Sequence, residues 1–209
     1  MNNICFAKPK IQKEVKKALR SYKSVWKDEE KIFEEMCYCI LTPQSSAKGA
    51  TKCINALKEN NLLFKGKAKE KEKYLKNIRF YITKARRLEL IQTQFPKEKL
   101  KKILINEGIL EKPIKCREFL IKNVNGFGMK EASHFLRNIG FFEDVAILDR
   151  HILKNLVKCN VIKEIPKNLN KKKYEEIENL MKNFCEKNNI NFTELDLIFW
   201  SNETGEVLK

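Results

Sequence analysis

Apolar residues recur along this chain every third or fourth position, and nowhere in the clean alternation of a strand. That spacing lines them up on one face of a helix, so the chain must bury successive helical stripes against one another. Val15, Leu19, Tyr22 and Trp26 form one stripe. Ile32, Phe33, Met36, Cys37, Ile40 and Leu41 form a broader one after Asp28, which suits an N-cap. Ala50, Cys53, Ile54 and Leu57 form a third, opened by Ser45 or Ser46. The longest regular stripe, Tyr74, Ile78, Tyr81, Ile82, Ala85 and Leu88, predicts one continuous helix. Shorter helices are expected over 97–106, 113–122, 130–139 and 149–158, and further ones over 171–188 and 193–201. In the last of these, Thr193 and Asp196 resemble a capping box. Pro43, Pro96, Gly108, Pro113, Gly140 and Pro166 punctuate the pattern. The expectation is an all-α fold of about ten helices without internal repeats.

A chain of 209 residues can bury a substantial core as one domain or two small lobes. Lys and Arg outnumber Asp and Glu by 43 to 27, a formal charge of +16, which points to a polyanionic partner such as nucleic acid. Such binding weakens steeply with salt, because each neutralised phosphate releases counterions. The lysine-dense stretch 65–76 reads as a solvated loop and helix start. Seven scattered cysteines, with a C-x-C at Cys37 and Cys39 but no C-x-x-C, argue for free thiols in a reducing compartment. No apolar run approaches a membrane span, and the N-terminus lacks a signal-peptide core. A soluble, cytoplasmic protein is expected, with no membrane partner and no metal.

The chemistry concentrates in Asn123-Val-Asn-Gly-Phe-Gly-Met-Lys-Glu-Ala-Ser-His134 and in Ile147-Leu-Asp-Arg-His151. Gly126 and Gly128 permit a tight turn that delivers its backbone N–H groups, and a helix N-terminus, to a phosphate. Lys130 places an amine just behind that turn, a possible nucleophile beside a nucleic-acid backbone. Asp149 stands nineteen residues further on, where it would cap the helix Arg150-His-Ile-Leu-Lys-Asn-Leu-Val157. Arg150 and Lys154 suit phosphate contacts, and His134, one turn beyond Lys130, is expected to pack.

The segment Leu120-Ile-Lys-Asn-Val-Asn-Gly-Phe-Gly-Met-Lys-Glu-Ala132 resembles the helix-hairpin-helix element of the DNA glycosylase superfamily, with Asn125 in place of the usual proline. The resemblance spans roughly residues 30–160. It implies two helical lobes flanking a DNA-binding cleft: a central bundle over 28–137, and a second lobe of 1–27 plus 138–209. It further implies that Gly126, Phe127 and Gly128 bind the DNA backbone. Lys130 would attack C1′ of a flipped nucleotide, giving a Schiff base and a β-elimination nick. Asp149 would stabilise positive charge developing on the sugar. The Gly140–Asp149 segment lacks the family's proline, but its spacing fits. His151 would lie near the lesion's phosphate.

Leu41-Thr-Pro-Gln-Ser-Ser-Ala47 resembles the segment whose glutamine, here Gln44, fills the space left by the flipped base in endonuclease III relatives. Those relatives end in a four-cysteine iron–sulfur loop; after Cys116 only Cys159 and Cys185 remain, so no such cluster is expected. The short Trp-containing tail is similar instead to the archaeal-type second family of 8-oxoguanine DNA glycosylase/lyases. That likeness implies a bifunctional glycosylase/AP lyase excising 8-oxoguanine from double-stranded DNA, without cofactor and as a monomer. Trp200 would stack on the flipped purine. The Lys209 carboxylate would accept the N7–H that oxidation creates, since N7 of guanine itself is an acceptor. Oxidised pyrimidines as substrate, or a non-catalytic helix-hairpin-helix DNA-binding module, are the alternatives.

Overall fold

The computed structural model describes residues 9–207, which form eleven α-helices and no strand. In chain order they are α1 (Pro9–Val25), α2 (Glu29–Leu41), α3 (Ala47–Glu59), α4 (Ala68–Leu75), α5 (Tyr81–Gln94) and α6 (Lys97–Asn106). There follow α7 (Pro113–Asn123), α8 (Met129–Asn138), α9 (Arg150–Lys158), α10 (Lys171–Lys187) and α11 (Phe192–Thr204). None is long and apolar enough to cross a membrane.

Several helix starts follow the local chemistry the sequence displays. Asp28 accepts from Lys31 N–H, Ser46 from Gly49 N–H and Asp149 from Ile152 N–H, each satisfying a donor that the first helical turn leaves without an intrahelical partner. Two expectations are corrected. The stripe from Tyr74 to Leu88 is broken between α4 and α5, where Phe80 takes a left-handed backbone (φ 58°) and restarts the helix. Helix α11 is capped by Asn191, which accepts from Thr193 N–H, not by the Thr193–Asp196 pair; Asp196 is drawn into an ion pair instead.

Helix α2 is the hub. Residues on nearly every side of it are buried, including Phe33, Met36, Cys37, Cys39 and Leu41, because α3, α5, α6 and α8 pack around it. This first core runs from Val25 to Val145. A second gathers Ala146, Leu148, Ile152, Leu153, Leu156, Tyr174, Ile177, Met181 and Phe199. A small third core, with Val15, Leu19, Tyr22, Phe142, Leu197 and Ile198, packs α1 against α11. Gly140 (φ +99°) lets α1 close in, since a Cβ there would sit 2.9 Å from the Lys23 Cα.

Buried polar groups tie these cores together. Arg117 of α7 forms a two-pronged ion pair with Glu178 of α10 at 2.8 and 3.0 Å and also donates to Ser133 of α8. Glu178 accepts from Ala146 N–H, and the Tyr174 hydroxyl donates to Ala146 C=O while accepting from Leu148 N–H. The chain leading into α9 is thereby strapped to α10 and, through Arg117, to α7.

Candidate active site

The N-terminal turns of α8 and α9 converge on one cavity of about 560 Å3. Its walls are the 42–47 loop, Tyr38, Lys130, Glu131, His134, Arg137, the 147–152 segment, and Asp196, Leu197 and Trp200 of α11. Two helix starts aimed at one space favour bound negative charge.

Lys130 lies in the first turn of α8 with its side chain about one quarter exposed, and its Nζ is 3.9 Å from Glu131 Oε1. Asp149 faces the same cavity as the N-cap of α9, one carboxylate oxygen held by Ile152 N–H at 2.8 Å. Gln44, Arg150, His151 and Trp200 line it too. Gln44 is exposed and has a left-handed backbone (φ 54°), sparsely populated for a non-glycine residue. His151 and Trp200 meet edge to face at 4.9 Å. Neither His151 Nδ1 nor Trp200 Nε1 has a hydrogen-bond partner among the described residues. Lys209 lies outside the described residues.

The hairpin is more particular than its sequence suggests. Gly126 (φ +97°) supplies the left-handed turn, and the Arg87 side chain lies against it while donating to Asn125 Oδ1. Phe127 is a core residue: its ring sits 6.1 Å from that of Phe135 and its N–H donates to Val124 C=O. Gly128 N–H donates to Glu131 Oε2 at 3.2 Å, so a carboxylate occupies one donor expected to serve phosphate.

Residues at the cavity that the sequence did not assign to it include Tyr38, Glu131, Arg137 and Asp196, the last read there only as a cap. Arg137 pairs with Asp196 at 3.3 Å, both largely buried, and its guanidinium lies 4.9 Å from the Tyr22 ring centre. Burial raises the Asp196 carboxyl above its usual range; Arg137 opposes the rise and Asp149 adds to it. An arginine in the last turn of α8, on its buried face, was the available signal. His134 is buried with its ring 5.9 Å from that of Tyr38, the packing role expected of it. Among the described residues no three His, Cys, Asp or Glu side chains are grouped as a metal site requires.

A glycine hairpin joining α7 to α8, with an amine and a carboxylate on one cavity, defines a helix-hairpin-helix protein of the DNA glycosylase class. A family model described as 8-oxoguanine DNA glycosylase matches residues 15–190. A Fusobacterium nucleatum protein named 8-oxoguanine DNA glycosylase/AP lyase is 42% identical over 208 residues, covering 96% of this chain and 95% of its own. The crystal structure of the Methanocaldococcus jannaschii 8-oxoguanine DNA glycosylase superposes with TM-score 0.84 at 39% identity, covering 96% of this chain and 91% of its own. The glycosylase/lyase of that organism in complex with a 15mer DNA containing 8-oxoguanine gives 0.82, covering 95% and 93%. The chain belongs to the 8-oxoguanine DNA glycosylase family.

Proposed function

We propose that this chain is a bifunctional DNA glycosylase/AP lyase that excises 8-oxoguanine and nicks the strand. The observation that carries it is the convergence of Lys130 and Asp149, each in or at the first turn of its helix, on one cavity within a family of that activity. DNA lies across the cleft between a lobe of residues 28–137 and a lobe formed by 1–27 with 138–209. The backbone meets Gly126 and the start of α8, with Arg150 and His151 as further contacts. The Phe127 side chain, buried in the core, supports the turn without touching DNA.

Gln44 fills the gap left when the lesion leaves the stack, lowering the net cost of a few kcal/mol for extrusion. Trp200 stacks on the flipped purine, and the Lys209 carboxylate accepts its N7–H. The neutral Lys130 amine attacks C1′ as the bond to N9 breaks and the departing base takes up a proton. Asp149, fixed by its cap bond, stabilises the positive charge on the sugar. Loss of a proton from nitrogen and opening of the sugar ring give the Schiff base. Abstraction of a C2′ proton then expels the 3′ phosphate. An amine and a carboxylate suffice for these steps, so no metal or iron–sulfur cluster takes part. The protein acts as a monomer in the compartment that holds the DNA.

Duplexes carrying 8-oxoguanine, thymine glycol or guanine at one position test the substrate. Excision and nicking of the 8-oxoguanine strand, with guanine left intact, is expected; activity on thymine glycol alone would overturn the assignment.

A further inference from the structure

Lys84, in the first turn of α5, is only 1% exposed, yet no carboxylate among the described residues pairs with it. Its Nζ donates to Leu41 C=O at 2.7 Å, Pro43 C=O at 2.8 Å and Ser45 Oγ at 3.0 Å. All three acceptors belong to the five-residue segment that carries Gln44, and Thr42, Pro43, Gln44 and Ser45 line the cavity. Leu41 ends α2, so its carbonyl is one that the helix leaves unpaired at its negative pole. The Ser45 hydroxyl also accepts from Arg79 N–H, fastening the same segment to the start of α5.

An ammonium buried without a counter-charge is costly, and this one persists because all three of its protons find oxygen acceptors. The charged and titratable groups facing it are Cys53 of α3 and Arg87 of α5. Lysine suits the position because a compact ammonium fans three donors over converging acceptors, which a planar guanidinium cannot do. An apolar residue here would leave two backbone carbonyls without their donor and the Ser45 hydroxyl held by Arg79 N–H alone, and would loosen the left-handed turn at Gln44.

We propose that Lys84 is a positioning residue for base extrusion: its buried ammonium holds the Leu41–Ser45 segment in the shape that presents Gln44 to the duplex. Lys84 has this role only if Gln44 is the filler proposed above. A preset loop spends none of the binding energy on its own ordering, so that energy goes into unstacking the lesion.

Lys84→Met keeps the stem and removes all three donors, and Gln44→Ala serves as the companion variant. Each full-length protein is given duplex with paired 8-oxoguanine and the same duplex with a preformed abasic site, which has no base to unstack. Single-turnover excision, borohydride trapping and the fluorescence of a 2-aminopurine beside the lesion are recorded. Lys84→Met slows 8-oxoguanine excision about tenfold or more and suppresses the 2-aminopurine rise, while trapping on the abasic site stays within about twofold. Gln44→Ala also slows 8-oxoguanine excision and suppresses the 2-aminopurine rise, and the double variant is no slower than the slower single one. If Lys84→Met slows both substrates alike, or neither, the positioning role is wrong even though Gln44→Ala still slows 8-oxoguanine excision. If Gln44→Ala leaves both substrates unchanged, the filler itself is wrong and Lys84 falls with it. Should Lys84→Met not fold, Lys84→Gln, which retains two donors, is judged by the same criteria.

Discussion

Replacing Tyr174 by Phe removes one oxygen atom and tests how Asp149 is held. The Tyr174 hydroxyl donates to Ala146 C=O at 2.6 Å and accepts from Leu148 N–H at 3.1 Å, immediately before the Asp149 cap. All three residues are at least 98% buried, so water cannot take the place of the lost oxygen. Burial also pushes the phenol above its ordinary pKa, so it remains a donor at every working pH. Each stranded backbone group costs about 1–3 kcal/mol, so the pair should cost about 2–4 kcal/mol after partial relaxation. For a domain of this size that corresponds to a fall in Tm of about 5–15 °C. The Ala146–Leu148 segment also loses both hydrogen bonds to Tyr174 and stays tied to α10 through the Glu178 contact to Ala146 N–H alone. Asp149 should then sample more positions, and since a misplacement of about 1 Å can cost about a hundredfold, single-turnover excision should fall by about ten- to a hundredfold. DNA affinity should change less than excision, because the Gly126 turn and the start of α8 do not hang on this strap. Urea denaturation, excision at saturating enzyme and a fluorescence-anisotropy titration separate the three quantities. A Tyr174→Phe protein as stable and as fast as wild type would refute the strap.

Asp149→Asn keeps an oxygen for the Ile152 N–H and removes the charge; stability should stay within about 0.5 kcal/mol while excision falls about a hundredfold or more. Asp149→Ala should lose both, with about 1 kcal/mol of stability, and urea midpoints beside single-turnover rates distinguish the two. Burial pushes Lys84 from 10.5 down to about 8, so between those values the unfolded chain binds the extra proton. The destabilisation is full below pH 8 and is relieved as pH rises towards 10.5. The wild-type urea midpoint should therefore gain on that of Lys84→Met from pH 7.5 to 10, and a constant difference would contradict the burial of an ammonium there. Trp200→Ala should weaken binding to 8-oxoguanine duplex by about 1–3 kcal/mol while binding to an abasic duplex is unchanged, as anisotropy would show.

Much of the fold was legible because local signals and tertiary packing agree. Asp28, Ser46 and Asp149 announce their helices by capping chemistry, and the Gly126 turn announces the hairpin. The glycine turn before Lys130 and the capping position of Asp149 read as helix starts, and the structure brings both onto one cavity. What stayed hidden was decided by burial. Lys71 and Lys84 look like any of the chain's many basic residues, yet both are enclosed. Lys71, inside the stretch read as solvated, donates to Lys65 C=O, Gly66 C=O and Gln92 Oε1. Asp196 reads as a cap from its neighbour Thr193, but a buried arginine fifty-nine residues away in sequence claims it. The stripe over Tyr74–Leu88 misleads because a left-handed residue at Phe80 interrupts the helix without disturbing the spacing of apolar positions.

The central claim is that the Lys130 amine becomes covalently joined to the sugar. Wild type, Lys130→Gln and Asp149→Asn are each incubated with 8-oxoguanine duplex under borohydride, and the cross-linked peptide is mapped by mass spectrometry. The account predicts a strong adduct on Lys130 in wild type, a much weaker one in Asp149→Asn, and none in Lys130→Gln. An adduct of undiminished yield in Lys130→Gln, or one mapped to another lysine in wild type, would contradict it.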